Sequence, residues 1–449
     1  MVEYADMETP VKILLDRKRE GKELADSEIR DLIAAYTRSE VPDYQMAAFA
    51  MAVCCRGMTA RETLALTEAM RDSGECLDWS DVPRPTADKH STGGVGDKLS
   101  LIIQPLAASC GLAVPSLTGR GLGLTGGTAD KLESISGYDA SLTLADFKRV
   151  VAGCGCSMTV QTDEIAPADK KLYALRDVTG TVPSIPLIVG SILSKKLAEG
   201  AGTLVFDVKC GRGAFMQTPE QAEALAGALV DGAKGAGRKA AALVTSMDEP
   251  LGFAVGNALE VMEAVRVLKG EGRQPQDVVE LSVELAAMMV ALAKGFDMEK
   301  ARSVCRENLA NGKAYAVFSE MVHLHGGDLA MFEKENLDGG KAESVELKVE
   351  RAGYVADIDA QQVARVAFKL GAGRAKADDA IDPSAGVLLA VTHGDRVAKG
   401  TPVAKLFAKE RASLLDEAAA DLAAAFSFSE APPAERVLVL RQGARKGAC

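Results

Sequence analysis

Residues 89–97 read Lys-His-Ser-Thr-Gly-Gly-Val-Gly-Asp, and residues 118–133 read Thr-Gly-Arg-Gly-Leu-Gly-Leu-Thr-Gly-Gly-Thr-Ala-Asp-Lys-Leu-Glu. We call residues 89–97 the first glycine loop and residues 118–128 the second glycine loop. Each follows a segment with strand character and runs into a segment with helix character, at 98–108 and at 129–135. Glycine brings bare N–H groups close to a ligand, and N–H groups at the start of a helix attract anions. Two such loops predict a phosphate group that is held from two sides.

Other interpretations of the two loops are weaker. The stretch 121–126 matches G-x-G-x-x-G, a pattern of dinucleotide-binding sites, but the further glycines, Arg120 and the paired first loop lie outside that pattern. A Walker A loop is excluded by spacing, because Asp97 rather than glycine precedes Lys98. A purely structural pair of turns rarely needs hydroxyl groups and cations at so many positions.

The composition limits the class of protein. A chain of 449 residues suggests two or three domains. The formal net charge of −11, without a basic face or tail, argues against nucleic acid, so an anionic substrate must meet locally placed cations. No apolar run reaches membrane-spanning length, and the N-terminus does not read as a signal peptide. Nine cysteines without a disulfide rhythm indicate a reducing compartment, so we expect a cytoplasmic protein.

The order of elements is readable in outline. Residues 11–74 are predicted to be helical, with a capping box of Thr59 and Glu62, and residues 274–325 are helical again. In between, strands alternate with helices, which predicts parallel strand pairing. Segments 153–160 and 345–355 are predicted as strands.

Two further predictions concern residues near the C-terminal end of this pattern. His323 and His325 are two residues apart and do not share a helix face, so we interpret both as surface residues. The tail from residue 430 is expected to be solvated and partly disordered.

The two glycine loops resemble a known signature. Lys-His-Ser-Thr-Gly-Gly-Val-Gly-Asp followed by Gly-Arg-Gly-Leu-Gly-x-Thr-Gly-Gly-Thr-x-Asp-Lys-Leu-Glu-Ser is similar to the signature of the thymidine phosphorylase and pyrimidine-nucleoside phosphorylase family, and the likeness extends over nearly the whole chain. It implies an α/β fold, with a small all-α domain plus a larger mixed α/β domain with a C-terminal hammerhead-like α+β part. The domains would span 1–74 (completed by about 166–199), 85–160 with 200–340, and 344–449.

The resemblance also implies the substrates and their site: a pyrimidine nucleoside and inorganic phosphate, with no other cofactor and no metal. Five side chains are expected to hold phosphate: Lys89, Ser91, Ser100, Thr118 and Thr128. Six are expected around the base: Tyr173, Arg176, Ser191, Lys195, Phe215 and Met216. Arg176 and Lys195 would stabilise negative charge on the departing base, and His90 would hydrogen-bond a base carbonyl and protonate it. The resemblance suggests a homodimer.

Residue spacing alone leaves the base site open. Tyr173 and Arg176 are three residues apart, and Ser191 and Lys195 are four apart, so each pair shares a helix face. The alternative is that the two cations lie on the surface and pair with acids nearby in sequence, at 177 and 199. Lys196 points away from these pairs and is expected to be solvated.

The chain departs from the family pattern at four of the positions that shape the site. Thr118 stands where the family usually has serine, and Leu124 where the motif usually has histidine; Pro183 and Gly190 also depart. These changes leave the preference among thymidine, deoxyuridine and uridine open.

A further departure concerns a metal ion. Some bacterial members of the family bind potassium between the first loop and a later helix, and Gly96, Leu251, Ala254 and Glu263 match that site. Lys98 stands in place of the expected hydroxyl residue. We therefore expect the Lys98 ammonium to take the place of the ion and to pair with Glu263.

Three other functions stay open at this level. A phosphoribosyltransferase of the anthranilate type would share the fold but would need acidic residues for magnesium. An NAD-dependent oxidoreductase would use the G-x-G-x-x-G pattern. A catalytically silent nucleoside-binding protein is conceivable because Leu124 and Gly190 depart from the family pattern. We also expect the cleft to close about connectors near 75–88, 160–166 and 195–203.

Overall fold

The computed structural model of the chain describes residues 7–121, 124–333, 341–374, 376 and 379–443. The described residues form the α-helices α1 (Val11–Arg19), α2 (Asp26–Thr37), α3 (Asp43–Arg56), α4 (Ala60–Arg71), α5 (Leu99–Ser109), α6 (Thr128–Glu133), α7 (Leu144–Cys154), α8 (Pro167–Thr179), α9 (Ile185–Ala198), α10 (Pro219–Gly235), α11 (Asn257–Lys269), α12 (Gln276–Lys294), α13 (Met298–Ala310), α14 (Lys313–Leu324), α15 (Ala330–Glu333), α16 (Ala360–Leu370) and α17 (Leu415–Ala423). They form the strands β1 (Ala87–Ser91), β2 (Val114–Thr118), β3 (Cys156–Val160), β4 (Thr203–Cys210), β5 (Lys239–Ser246), β6 (Ala254–Val255), β7 (Glu343–Lys348), β8 (Gly353–Ile358), β9 (Gly386–Leu389), β10 (Arg396–Val397), β11 (Pro402–Ala408), β12 (Phe426–Ser429) and β13 (Val439–Gly443). Within this part of the chain, no helix combines the length and the apolar character that crossing a membrane requires.

Helices α1–α4 form a small helical part onto which α8 and α9 pack. The predicted capping box opens α4: the Thr59 hydroxyl accepts from the Glu62 N–H, and the Glu62 carboxylate accepts from the Thr59 N–H. Glu62 also forms a buried ion pair with Lys18 of α1 at 2.8 Å. Leu172 of α8 and Leu187 of α9 share one apolar core with α1–α4. The helices that carry the predicted base-binding pairs therefore belong to this all-α part.

The central sheet has the strand order β1-β4-β5-β13. β1, β4 and β5 are parallel, as the alternation of strands and helices predicts, and β4 is buried along its whole length. β2 and β3 form a separate parallel pair. A bridge between Thr86, which precedes β1, and Ala113, which precedes β2, connects this pair to the central sheet. The two glycine loops follow β1 and β2, so both leave the carboxyl ends of strands, where open α/β sheets bind their ligands.

The C-terminal part contains two antiparallel sheets, β6-β9-β11-β7 and β10-β8-β12, together with α16 and α17. β6 comes from the central part of the chain and pairs with β9, so the C-terminal part is joined to the central part through a shared sheet. The small all-α part, the larger mixed α/β part and the C-terminal α+β part confirm the predicted fold class.

Some predictions for single segments are wrong in their bounds. The predicted strand at 345–355 is two strands, β7 and β8, and the predicted strand at 153–160 begins at Cys156 because α7 continues to Cys154. The tail beyond residue 430 is not only solvated, since β13 pairs antiparallel with β5 and covers the edge of the central sheet. Residues 444–449 of that tail lie outside the described residues.

His323, in α14, and His325, at the C-terminal end of that helix, lie in different environments. His323 is exposed, as predicted, whereas His325 is buried and the prediction for it is wrong. The His325 ring stacks on Tyr138 with a centroid distance of 4.4 Å and hydrogen-bonds Ser157. His325 follows the last residue of α14 as its C-cap, so helix-face spacing does not govern its environment.

Candidate active site

One cavity of about 800 Å³ opens between α8, α9 and the carboxyl ends of the central strands. All twelve side chains predicted to bind phosphate or base line it: Lys89, His90, Ser91, Ser100, Thr118, Thr128, Tyr173, Arg176, Ser191, Lys195, Phe215 and Met216. Its volume is typical of small-molecule sites. The structure therefore brings these residues together, while the role of each stays a prediction.

The first glycine loop is a narrow turn. Gly93 and Gly96 have positive φ angles of 85° and 69°, and a Cβ atom on Gly96 would lie 2.5 Å from the carbonyl oxygen of Leu251. Glycine is required there, since any other residue would clash with that backbone. Ser91 Oγ donates to Asp97 Oδ2 at 2.5 Å and accepts from the Gly93 N–H at 3.1 Å. These bonds hold the loop closed, with Ser91 at the cavity wall.

Lys89 is the cation closest in sequence to this loop, and its side chain is fully buried. Its Nζ lies 3.5 Å from Ser100 Oγ, near the start of α5, and 3.7 Å from Asp207 Oδ2 of β4. Both Lys89 and Ser100 line the cavity. A lysine and a hydroxyl at the start of a helix form a suitable environment for a phosphate oxygen.

Asp97 lies at the centre of a buried group of charges beside this loop. Burial raises the pKa of Asp97, but Lys209, Lys89 and Lys131 outweigh burial and hold that pKa well below its usual range. Lys131 Nζ also donates to the Asp97 carbonyl at 2.7 Å, and Lys131 lines the cavity. Asp97 is therefore ionised at neutral pH and orders the cations around the loop.

The second glycine loop closes on itself. A Cβ atom on Gly121 or Gly127 would lie 2.2 or 2.3 Å from a backbone oxygen across the loop, so only glycine fits at these two positions. Thr118 is the last residue of β2 and Thr128 the first of α6, and both face the cavity. Residues 122 and 123 of the loop lie outside the described residues.

Arg176 is held rigidly under the base side of the cavity, with 2% of its surface exposed. Its guanidinium donates to the carbonyls of Thr181 and Val182, at 3.2 and 2.9 Å, in the turn between α8 and α9, and to the carbonyl of Leu187, at 2.9 Å, in the first turn of α9. These bonds use three of its five N–H groups, which leaves two for a ligand. The alternative of a surface cation paired with Asp177 is wrong, because Arg176 is buried and bound to carbonyl groups.

Lys195 reaches the cavity from α9 and is held by a residue of α8. Its Nζ lies 3.1 Å from Ser191 Oγ and forms an ion pair with Asp169, whose side chain is 2% exposed. The alternative pairing of Lys195 with Glu199 is wrong, since Asp169 takes that position. The pair joins the two helices that carry the base-binding side chains.

Lys196 is buried, so the prediction that it is solvated is wrong. Its Nζ lies 2.5 Å from Asp88 Oδ2 and 3.0 Å from Glu199 Oε2, and it donates to the Leu117 carbonyl at 2.9 Å. This side of α9 packs against β1 and β2 instead of facing water. Burial raises the pKa of Glu199 well above its usual value, and Asp88 raises it further.

His90 is surrounded by positive charge. Burial lowers its pKa well below the usual value, and Lys196, Lys195 and Lys89 lower it further, against the opposing effect of Asp97. The imidazole is therefore neutral at pH 7. A neutral ring donates one N–H hydrogen bond but holds no additional proton for transfer.

Comparison with known proteins shows the family of the chain. Family models described as "Glycosyl transferase family, helical bundle domain", "Glycosyl transferase family, a/b domain" and "Pyrimidine nucleoside phosphorylase C-terminal domain" match residues 12–74, 83–315 and 354–429. A thymidine phosphorylase of Agrobacterium fabrum is 47% identical over 88% of this chain and 90% of its own length. The chain belongs to the thymidine phosphorylase and pyrimidine-nucleoside phosphorylase family. A pyrimidine-nucleoside phosphorylase of Bacillus subtilis is 45% identical over 88% of this chain and 91% of its own length.

The fold is shared with a solved structure of a different enzyme. The anthranilate phosphoribosyltransferase of Thermus thermophilus matches with a TM-score of 0.56 and 21% identity, over 69% of this chain and 98% of that chain. At this identity the likeness concerns the fold alone.

Lys98 occupies the position that the sequence resemblance matches to a potassium site. Lys98 is fully buried, and its Nζ donates to the carbonyls of Leu251 and Ala254, both at 2.8 Å, and to Glu263 Oε2 at 2.5 Å. The expected pair of Lys98 with Glu263 is present. Its role in place of a potassium ion stays a prediction.

Two departures from the family pattern have visible packing contacts. A Cβ atom on Gly190 of α9 would lie 2.9 Å from Met70 Cε and 3.4 Å from Leu66, so glycine lets α9 approach α4 closely. Leu124 is partly buried and packs against the main apolar core. Nothing in the structure explains the departure at Pro183.

Sequence reasoning did not assign four residues that shape the cavity: Asp97, Lys131, Asp169 and Lys196. Asp97 and Lys131 lie inside the two glycine-rich motifs, so the motifs themselves were a signal for them. Asp169 contacts Lys195, 26 positions away, and Lys196 contacts Asp88, 108 positions away, and no local pattern marks either contact.

Proposed function

We propose that the protein is a pyrimidine-nucleoside phosphorylase. It transfers the sugar of thymidine, deoxyuridine or uridine reversibly to inorganic phosphate and gives the free base and the (deoxy)ribose 1-phosphate. The observation that carries the proposal is the meeting of two chemically different walls across one cavity. One wall offers loop N–H groups, hydroxyls and lysines, and the other offers Arg176, Lys195 and Ser191.

On the first wall, Lys89, Ser91, Ser100, Thr118 and Thr128 hold the phosphate together with the loop N–H groups. Phosphate is the nucleophile, so the protein must place one of its oxygens against the sugar carbon of the glycosidic bond. Holding both substrates in line removes much of the entropic barrier, without a covalent enzyme nucleophile or a redox cofactor.

On the second wall, negative charge grows on the pyrimidine as the glycosidic bond breaks. Arg176 and Lys195 provide fixed positive charge at this side, and their anchoring by carbonyl groups and by Asp169 means that little reorganisation is needed. Ser191 and Tyr173 orient the base, and Phe215 and Met216 supply apolar contacts.

His90 lies in the first glycine loop, between Lys89 and Ser91 of the phosphate wall, and lines the same cavity. With its pKa lowered by burial and by the neighbouring lysines, the neutral ring donates an N–H hydrogen bond to a base carbonyl. That bond strengthens as the carbonyl oxygen gains negative charge.

Lys98 supplies the positive charge that potassium supplies in some relatives, with Glu263 as its partner. We expect no cofactor other than inorganic phosphate as co-substrate. We also expect a cytoplasmic homodimer without a nucleic-acid or membrane partner, on the family resemblance and on the net charge of −11.

The deciding experiment measures release of free base from thymidine, deoxyuridine and uridine, each with and without inorganic phosphate. Phosphate-dependent release supports the proposal, and the ranking of the three substrates shows how Leu124 and Gly190 affect preference. Tight nucleoside binding without release indicates a silent binding protein. No reaction with the nucleosides, together with magnesium-dependent activity on a 5-phosphoribosyl pyrophosphate, indicates a phosphoribosyltransferase.

Two variants test the division of roles. We expect Lys89→Ala to raise the KM for phosphate and His90→Ala to lower kcat more than it affects that KM. Equal effects of both variants on both constants would contradict the assignment.

A further inference from the structure

One carboxylate, that of Asp130, accepts hydrogen bonds from two N–H groups of the second glycine loop. Asp130, in the first turn of α6, accepts the Gly121 N–H at 2.6 Å and the Gly127 N–H at 2.8 Å through the same oxygen, Oδ2. These two glycines lie on opposite sides of the loop, so Asp130 holds the two sides together. The Asp130 side chain is 1% exposed.

The other oxygen of this carboxylate is bound by the C-terminal part of the chain. Arg374 Nη1 lies 2.5 Å from Asp130 Oδ1, and its Nε donates to the carbonyl of Asp379 at 3.2 Å. Arg374 is itself 14% exposed. The contact links residues that are 244 positions apart in the sequence.

A second contact fixes the same segment. The Asn257 side chain of α11 donates to the Ala372 carbonyl at 2.9 Å. Its Oδ1 packs so closely against Gly126 that a Cβ atom on Gly126 would lie only 2.0 Å from it. The segment before Arg374 is therefore anchored on α11, directly behind the second glycine loop. Its position is set by the core fold and not by the ion pair alone.

The charge of Asp130 explains why a cation is needed there. A buried carboxylate beside a phosphate site repels the anion unless it is neutralised, and a buried charge without a partner is costly by itself. The other charges on α6 and the loop have partners elsewhere: Arg120 pairs with Glu133, and Lys131 pairs with Glu260 of α11 at 2.8 Å. Arg374 is thus the cation that faces Asp130.

We propose that Arg374 is a positioning residue for the phosphate side: by pairing with Asp130, it neutralises that carboxylate and keeps the second glycine loop closed, so that the C-terminal part of the chain sets the affinity for phosphate. This inference rests on the proposed function, because it assumes that the loop binds phosphate. Arg374 does not line the cavity and acts only through Asp130 and the loop.

The test compares Arg374→Met and Arg374→Lys with the wild-type protein and with Lys369→Met. Lys369 is a matched control, since it forms ion pairs with Glu417 and Asp421 at the end of α16, away from the loop. We expect Arg374→Met to raise the KM for phosphate about tenfold while the KM for nucleoside changes less than about twofold. Arg374→Lys keeps the charge but not the planar donor geometry and recovers part of the loss. Lys369→Met leaves both constants unchanged.

A second background separates charge from general damage. In Asp130→Asn protein the repulsion is absent, so Arg374→Met should add less than about twofold to the KM for phosphate. A full tenfold effect in that background, an equal rise of both KM values, or a similar effect of Lys369→Met overturns the proposal. If Arg374→Met does not fold, Arg374→Gln, which also removes the charge, takes its place, and a phosphate KM equal to that of the wild type overturns the proposal.

A binding measurement distinguishes failure of this inference from failure of the proposed function. Inorganic phosphate that binds the folded protein raises its Tm without any nucleoside or turnover. A smaller rise in Arg374→Met than in the wild type supports the role of Arg374 even if no base is released. Equal rises in the two proteins, or no rise in the wild type, overturn it.

Discussion

The ammonium group of Lys196 lies 2.5 Å from the carboxylate of Asp88 and so joins α9 to β1. Lys195, the preceding residue of α9, faces the base side of the cavity, and Lys89, which follows Asp88 in β1, faces the phosphate side. Glu199 Oε2 lies 3.0 Å from the same ammonium group and accepts an N–H of β2. One buried cluster of charges therefore sets the spacing between the two walls of the site.

The first prediction concerns this cluster. Lys196→Met should lower the free energy of unfolding by about 3–5 kcal/mol, because Asp88 and Glu199 then share a buried site without their cation. Chemical denaturation measures this change. Lys170→Met is the control, since Lys170 and Asp163 form an exposed pair whose loss should cost less than about 1 kcal/mol. Similar small losses for both variants would show that the buried cluster does not stabilise the fold.

The second prediction concerns pH. Because the pKa of His90 lies well below its usual value of 6.5, the ring is neutral above that pH and takes up a proton only as the pH falls further. We expect kcat to show no loss between pH 6.5 and 8 that depends on His90, and an acid limb at lower pH. His90→Asn keeps an N–H donor but cannot titrate, so this acid limb should disappear. A loss of kcat between pH 6.5 and 8 in the wild type, absent from His90→Asn, would mean that the protonated ring is the active form.

The third prediction concerns monovalent cations. Because the Lys98 ammonium already binds Glu263 and two carbonyl groups, wild-type activity should be the same with potassium as with sodium salts. Lys98→Thr removes the ammonium and supplies the hydroxyl group expected in relatives, so its activity and Tm should rise on addition of potassium. Lys98→Met, which offers no ligand, is the matched control and should not respond. Strong potassium activation of the wild type would refute the role of Lys98.

The fourth prediction concerns the anchoring of Lys195. Asp169→Asn removes the negative partner that holds Lys195 against the cavity, so kcat/KM for the nucleoside should fall about tenfold, with the KM for phosphate changed less than about twofold. Steady-state kinetics with each substrate varied in turn measure both values. Asp163→Asn, on the exposed pair with Lys170, should leave both unchanged. A change confined to the phosphate KM would place Asp169 on the wrong side of the site.

Local sequence patterns were enough to predict much of this protein. The glycine loops, the capping box of α4 and the alternation of strands with helices depend on neighbouring residues, because backbone conformation and helix starts are determined within a few positions. The long glycine-rich motifs also carried the resemblance that indicated the family and the twelve residues now found around one cavity.

Tertiary structure alone decided the environment of each charged or polar side chain. Helix spacing separates Lys195 from its neighbour Lys196, but it does not show that Lys196 is buried against β1 and β2 instead of facing water. His325 is likewise buried against a residue distant in sequence, Ser157. Arg374 pairs with Asp130 only because the C-terminal part folds back onto the second glycine loop. The periodicity of a helix shows that one of its faces is polar. It does not show whether water or a charged partner far away in the sequence binds the polar side chains of that face. Only the packing of elements far apart in the chain selects between them.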